Sequence, residues 1–186
     1  MLEVFEIATA KFELSSYVHS EKICEKLMVV CQTLQGQKRL VAPEQLRFRP
    51  SVYALIPHRD AIALITIRST GTYGLPGGAV EPHETLEQAL VREVCEETGL
   101  VVSVERLLHF KETFFYYEPG DSAWHTLSFF FVCRPESVAL ASDEEVQDEE
   151  FPEASRPRWV SIVTLTPEDI HHFFADVIAL WMEGVS

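Results

Sequence analysis

Residues 75–100, LPGGAVEPHETLEQALVREVCEETGL, constrain this chain more than any other stretch. A proline and two glycines mark a tight turn, and good helix formers then run without a break to Thr98. Thr85 with Gln88 fits a capping box and Gly99 a left-handed C-terminal stop, so the pattern predicts a helix over 86–98. Leu90, Val91, Val94 and Cys95 are expected to point inward. At about 100° per residue, Glu93, Glu96 and Glu97 fall on one stripe of that helix. Like charges at this spacing repel, and negative charge near a helix C-terminus opposes the macrodipole. An acidic stripe is ordinarily a solvated face. A cation bound there would reverse both penalties, and hard oxygen donors beside the carbonyls of a glycine turn suit Mg²⁺ or Mn²⁺.

The whole stretch resembles the Nudix box, Gx5Ex7REUxEExGU with U aliphatic: Gly78, Glu84, Arg92, Glu93, Val94, Glu96, Glu97, Gly99 and Leu100 fill every fixed place. The resemblance implies an α/β (α+β) chain with the Nudix α/β/α sandwich. A mixed β-sheet would carry the box helix on one side and a C-terminal helix on the other. It also implies a hydrolase that splits a nucleoside diphosphate linked to a further group, a MutT-like pyrophosphohydrolase for which a nucleoside triphosphate, oxidised or not, is the favoured substrate. Gly78, Glu93, Glu96 and Glu97 would hold the metal, with Glu93 and Glu96 as the catalytic carboxylates and Glu93 or a loop glutamate as the base. Glu84 and Arg92 would be structural, Glu84 supporting the turn through Arg92. In MutT-type enzymes a strand-end arginine contacts phosphate, which points to Arg68. A loop glutamate six residues before a tryptophan reaches the metal, which points to Glu153 ahead of Trp159, with Glu149 and Glu150 as alternatives. Tyr116 stands where dinucleoside polyphosphate hydrolases often carry tyrosine. The other class of reading is a Nudix fold that senses a ligand without catalysis; such domains tend to have damaged boxes, and this box is whole.

Charge excludes other classes. A formal charge of −14 opposes general affinity for polyanions, so a nucleic acid polymer is an unfavourable partner, whereas the resemblance implies a small nucleotide. Residues 1–50 carry 7 basic and 6 acidic side chains, leaving 8 and 23 for the rest. The acidity belongs to the catalytic part. The 4 cysteines show neither a CxxC pair nor zinc spacing, and read as buried small hydrophobes of a reduced, cytoplasmic protein. No apolar run approaches the ~18 residues of a membrane span, and no secretory leader pattern opens the chain.

The organisation read from the chain is an N-terminal extension over 1–49 and a Nudix hydrolase domain over 50–186. In the extension, short strands are expected before residue 18, and Ile23, Leu27, Val30, Cys31 and Leu34 predict an amphipathic helix from Ser20 to Gly36. Its apolar stripe would cover the catalytic domain or join two subunits of a homodimer. SVYALIP and AIALITIR read as two buried strands turning at 58–60, and VVSVERLLHFKETFFYY and WHTLSFFFVCR as long strands closed by EPGDSA. His125, opening the second long strand, is a candidate for touching substrate. Thr166 and Pro167 predict the start of a last helix with Ile170, Phe173, Phe174, Val177, Ile178 and Trp181 on its apolar face.

Overall fold

Alternation along the third strand decides the layering. In β3 (Leu46–Leu55) and its continuation, Val52, Ala54 and Ile56 pack with Ala89, Leu90 and Val94 of α1 (Leu86–Thr98). The intervening Leu55, with Tyr53, packs with Val177, Ile178 and Trp181 of α2 (Ala175–Val185). A strand whose successive side chains leave on opposite faces thus carries one helix on each side. Burying each of the three α2 side chains is worth roughly 1.5–3 kcal/mol. The computed structural model describes residues 28–142 and 154–185.

The other strands are β1 (Val29–Thr33), β2 (Lys38–Val41), β4 (Pro57–His58), β5 (Ala61–Ile67), β6 (Tyr73–Gly74), β7 (Gly77–Ala79), β8 (Val102–Tyr117), β9 (Ser122–Pro135) and β10 (Ala154–Ser161). The larger sheet runs β2-β1-β8-β9-β3-β7 and is mixed, since β1 pairs parallel with β8 and β3 parallel with β9. The smaller runs β10-β5-β4, with β6 on β5. The long β8–β9 hairpin and the turn at residues 58–60, where Arg59 adopts φ 56, stand as expected.

The structure corrects expectations for the N-terminal helix, the last helix and the inward face of α1. Within the described residues the second half of the expected N-terminal helix is strand: Val29–Thr33 pairs with β2 and β8. The segment VVCQT is β-branched at its start, and its burial alternates, with Cys31 and Thr33 inside and Val30 half exposed. Residues 20–27 lie outside the described chain. Strand β3 runs from Leu46 to Leu55, on both sides of residue 49.

The last helix begins at Ala175, not at Pro167. Pro167–Asp169 is one 3-10 turn, closed by the Asp169 carboxylate accepting from the Thr166 N–H at 2.9 Å. Ile170 then turns extended to bridge Tyr73. Pairing with the strand outcompetes helix propagation there, although Ile170, Phe174, Val177, Ile178 and Trp181 are buried as expected. On α1, Leu90 and Val94 are buried but Val91 and Cys95 are exposed; Ala89 and Thr98 are buried in addition. Cys31 and Cys133 are buried free thiols. Among the described residues no helix is long and apolar enough to cross a membrane.

Candidate active site

Helix α1 begins and ends as its sequence dictates. Thr85 Oγ1 accepts from the Gln88 N–H at 3.2 Å, the Gln88 side chain accepts from the Thr85 N–H at 2.9 Å, and Gly99 closes the helix at φ 72. The helix is thereby fixed in phase against the Gly77–Ala79 strand, which β3 anchors through Ser51–Ala79, Val52–Gly78 and Tyr53–Gly77 pairing. Both glycines are required. At Gly77, φ is 139 and an added Cβ would lie 2.1 Å from the Val52 carbonyl oxygen, which the strand pairing holds in place. At Gly78 a Cβ would meet Glu93 Oε2 at 2.6 Å, so the bare backbone is what leaves room for that carboxylate.

The three stripe carboxylates are not equivalent. Glu93 and Glu97 are 8% and 2% exposed, whereas the Glu96 side chain is 45% exposed at the cavity mouth. Glu97 Oε2 accepts from the Gly77 N–H at 2.7 Å, tying helix to turn. Arg92 occupies the centre of the cluster. Its Nε and Nη2 grip Glu84 at 2.7 and 2.9 Å, Nη1 donates to Glu93 Oε1 at 2.9 Å and Glu96 Oε2 at 3.1 Å, and Nη2 also donates to the Ala79 carbonyl at 3.1 Å. The bidentate Arg92 pair holds the Glu84 carboxyl down at about 2, and the carboxylates push the Arg92 pKa further up. Repulsion along the stripe is thus relieved by an arginine of the same helix. Tyr53 feels the cluster too: burial first, then the charges of Glu97 and Glu93, raise its phenol to about 12 against the opposing effect of Arg49.

These groups line one end of a cavity of about 360 Å³. Its remainder is formed by Leu34, Arg49, Ser51, Phe115, Thr126, His171 and Phe173, among others. Of the residues expected at the site, Gly78, Arg92, Glu93, Glu96 and Glu97 meet here, with Glu84 bonded behind Arg92. Three expected substrate contacts stand outside the cavity. Arg68 is exposed at the end of β5. Tyr116 is buried on other partners, its hydroxyl donating to Asp121 and the Arg39 guanidinium lying 3.8 Å over its ring. His125 stacks on Phe114 at 4.6 Å and bonds Glu112 at 2.7 Å. Period two explains the last two: Phe115 and Thr126 line the cavity, so their neighbours Tyr116 and His125 face away. Glu153, Glu149 and Glu150 lie outside the described residues.

Arg49 is a second cation lining the cavity, beside Arg92, and is absent from the residues expected there. A signal existed, because alternation in LRFRPSVYAL places Arg49, Ser51 and Tyr53 on one face, opposite Val52 and Ala54. His171 left no signal.

The residues fit a hard divalent ion by donor chemistry: three carboxylates on one stripe, two of them buried, beside a glycine with no Cβ. As they stand, no three acidic, histidine or cysteine side chains among the described residues gather into a metal-binding group. Arg92 and the Gly77 N–H hold oxygens of all three carboxylates.

The NUDIX domain family model matches residues 47–181. The chain belongs to the Nudix family. This Nudix hydrolase is 33% identical over 121 residues to the ADP-ribose pyrophosphatase of Methanocaldococcus jannaschii, covering 62% of this chain and 69% of that one. It is 37% identical over 102 residues to the 8-oxo-dGDP phosphatase NUDT18 of Homo sapiens, covering 55% of this chain but only 29% of that protein's length. In fold it resembles a NUDIX hydrolase from Nitrosomonas europaea, with a TM-score of 0.56 at 23% identity over 74% of this chain and 90% of that one.

Proposed function

We propose that this Nudix hydrolase splits the phosphoric anhydride of a nucleoside di- or triphosphate compound, with Mg²⁺ or Mn²⁺ held by Glu93, Glu96, Glu97 and the Gly78 backbone. The observation that carries the reading is the pairing, in one cavity, of the box carboxylates with an aromatic end large enough for a ring. The activities for which the two relatives are named, on ADP-ribose and on 8-oxo-dGDP, share a nucleoside diphosphate and support that class. A nucleoside triphosphate, including an oxidised one, belongs to it as well. When bound, the divalent ion supplies charge neutralisation at the phosphates and lowers the pKa of water.

The chain's own residues do the rest. Arg49, whose guanidinium carries only donors, suits phosphate or ring oxygens along the cavity. Water attacks phosphorus, the anhydride P–O bond breaks towards the leaving phosphate, and the water's proton passes to Glu93 or Glu96. Arg92 positions both carboxylates through one nitrogen. Glu153 is proposed as a further metal ligand from the acidic loop.

The test is a panel of nucleoside triphosphates, 8-oxo-dGDP and ADP-ribose with Mg²⁺ or Mn²⁺, reading phosphate or pyrophosphate release. The wild-type chain is expected to turn over at least one member. Silence across the panel, with ligand binding retained, would replace this reading by a ligand-sensing one. Glu93→Gln and Glu96→Gln then separate base from ligand: loss of the acidic limb of the pH–rate profile marks the base.

A further inference from the structure

The family match begins at residue 47, yet the cavity is closed in part by chain that precedes it. Leu34 lines the cavity from the turn between β1 and β2, and both of its peptide groups are held by side chains from far along the sequence. Its carbonyl accepts from His171 Nε2 at 2.8 Å, and its N–H donates to Glu118 Oε2 at 3.3 Å. The turn itself is closed by Gly36 donating to the Thr33 carbonyl at 2.9 Å. Gly36 adopts φ +73, and a Cβ there would stand 3.7 Å from the His172 ring, so the turn backbone rests against a second histidine.

His171 is built for this attachment and for little else. It is 4% exposed, and its tautomer is fixed: the Leu34 carbonyl can only accept, so Nε2 carries the proton, while Nδ1 receives the Phe173 N–H at 3.4 Å. Burial pushes its pKa down to about 4, so at neutral pH the ring is uncharged and the donor stays in place. With both nitrogens engaged it is a poor proton carrier. Its own N–H donates to the Tyr73 carbonyl at 2.8 Å, which roots it beside the strand leading into the glycine turn.

We propose that His171 is a positioning residue that fastens the β1–β2 turn as a wall of the substrate cavity, and that Leu34 on this wall, with Phe115 and Phe173, selects a flat heteroaromatic ring at the end of the substrate away from the carboxylates. The inference rests on the hydrolase reading above and adds that the substrate pocket extends beyond the matched family region. An aliphatic side chain and two aromatic rings offer apolar contact and stacking to a ring, and little to a bare phosphate chain.

The experiment compares Leu34→Trp, His171→Phe and His171→Gln with wild type, using ADP-ribose, 8-oxo-dGDP and ring-free inorganic triphosphate. Each is assayed for kcat and KM, and for Kd by calorimetry. Leu34→Trp, which keeps every backbone bond of the turn, is expected to raise KM and Kd for the ring-bearing probes by about tenfold, with kcat within about threefold and the ring-free probe unmoved. His171→Phe is expected to act in the same direction, and His171→Gln, whose amide restores an N–H donor, to recover most of the loss. Ring-bearing and ring-free probes moving together in Leu34→Trp would overturn the proposal, as would His171→Gln performing no better than His171→Phe. Turnover with KM ratios unmoved defeats this inference and leaves the hydrolase reading standing. Wall-dependent binding without turnover does the reverse, and binding of no probe overturns both.

Discussion

The two ends of the cavity are built by different routes. The carboxylate end comes from Gly77 to Glu97, a contiguous piece whose turn, cap and helix phase place Glu93, Glu96 and Glu97 beside the glycines. The opposite end draws Leu34, Phe115, His171 and Phe173 from separate parts of the chain, while Arg49 and Thr126 line the stretch on β3 and β9. Local geometry fixes most of the first, with β3 anchoring its glycine strand. Sheet order and docking fix the second. The proposed hydrolase reading puts reaction at the first end and selectivity at the second, so variants at the two ends should leave different kinetic signatures.

The largest expected effect lies at the carboxylate end. Glu97→Gln should lower kcat by a factor on the order of 10² or more. Its melting temperature should change little, because the amide oxygen can still accept from the Gly77 N–H. Unchanged turnover in steady-state assays would break the assignment of chemistry to this end.

On β3, outside the contiguous carboxylate piece, Arg49→Ala is expected to raise KM by about tenfold at nearly constant kcat, the mark of lost uniform binding. Arg68→Ala should stay within about twofold. A reversal of that order in the same assay would put the phosphate contact on the strand-end arginine after all.

A smaller effect concerns stability against pH. The Glu84 carboxyl sits at about 2 in the folded protein against an ordinary 4.5, so it contributes stability that is full above the ordinary value and lost as pH falls from there through about 2. Glu84→Gln should flatten that segment of the curve of melting temperature against pH, and an unaltered acid limb would show that Arg92 does not hold Glu84 in solution. Smallest of all, Tyr116→Phe and His125→Ala should change kcat/KM by less than about twofold, since both side chains face away from the cavity. A larger change in either would extend the pocket to the opposite face of the β8–β9 hairpin.

The residues from Leu75 to Leu100 by themselves determined the helix, its two ends and the acidic stripe, because capping, glycine φ and helical spacing act over a few residues, and their resemblance to the Nudix box implied the Arg92–Glu84 support. They also determined the family, and with it the layered α+β fold and the class of reaction. Tertiary structure decided what local pattern could not. Apolar spacing from Ile23 to Leu34 satisfied a helical period, yet the described part became strand because β8 offered it a partner edge. The last helix lost its first turns because Ile170 pairs with Tyr73. Arg49 rather than Arg68, and Phe115 rather than Tyr116, reached the cavity through the register of β3, β8 and β9, where a shift of one residue exchanges the faces. The bond from His171 to Leu34 spans 137 residues, and no periodicity within either segment encodes a contact made only when the sheet and the C-terminal segment have closed on one another.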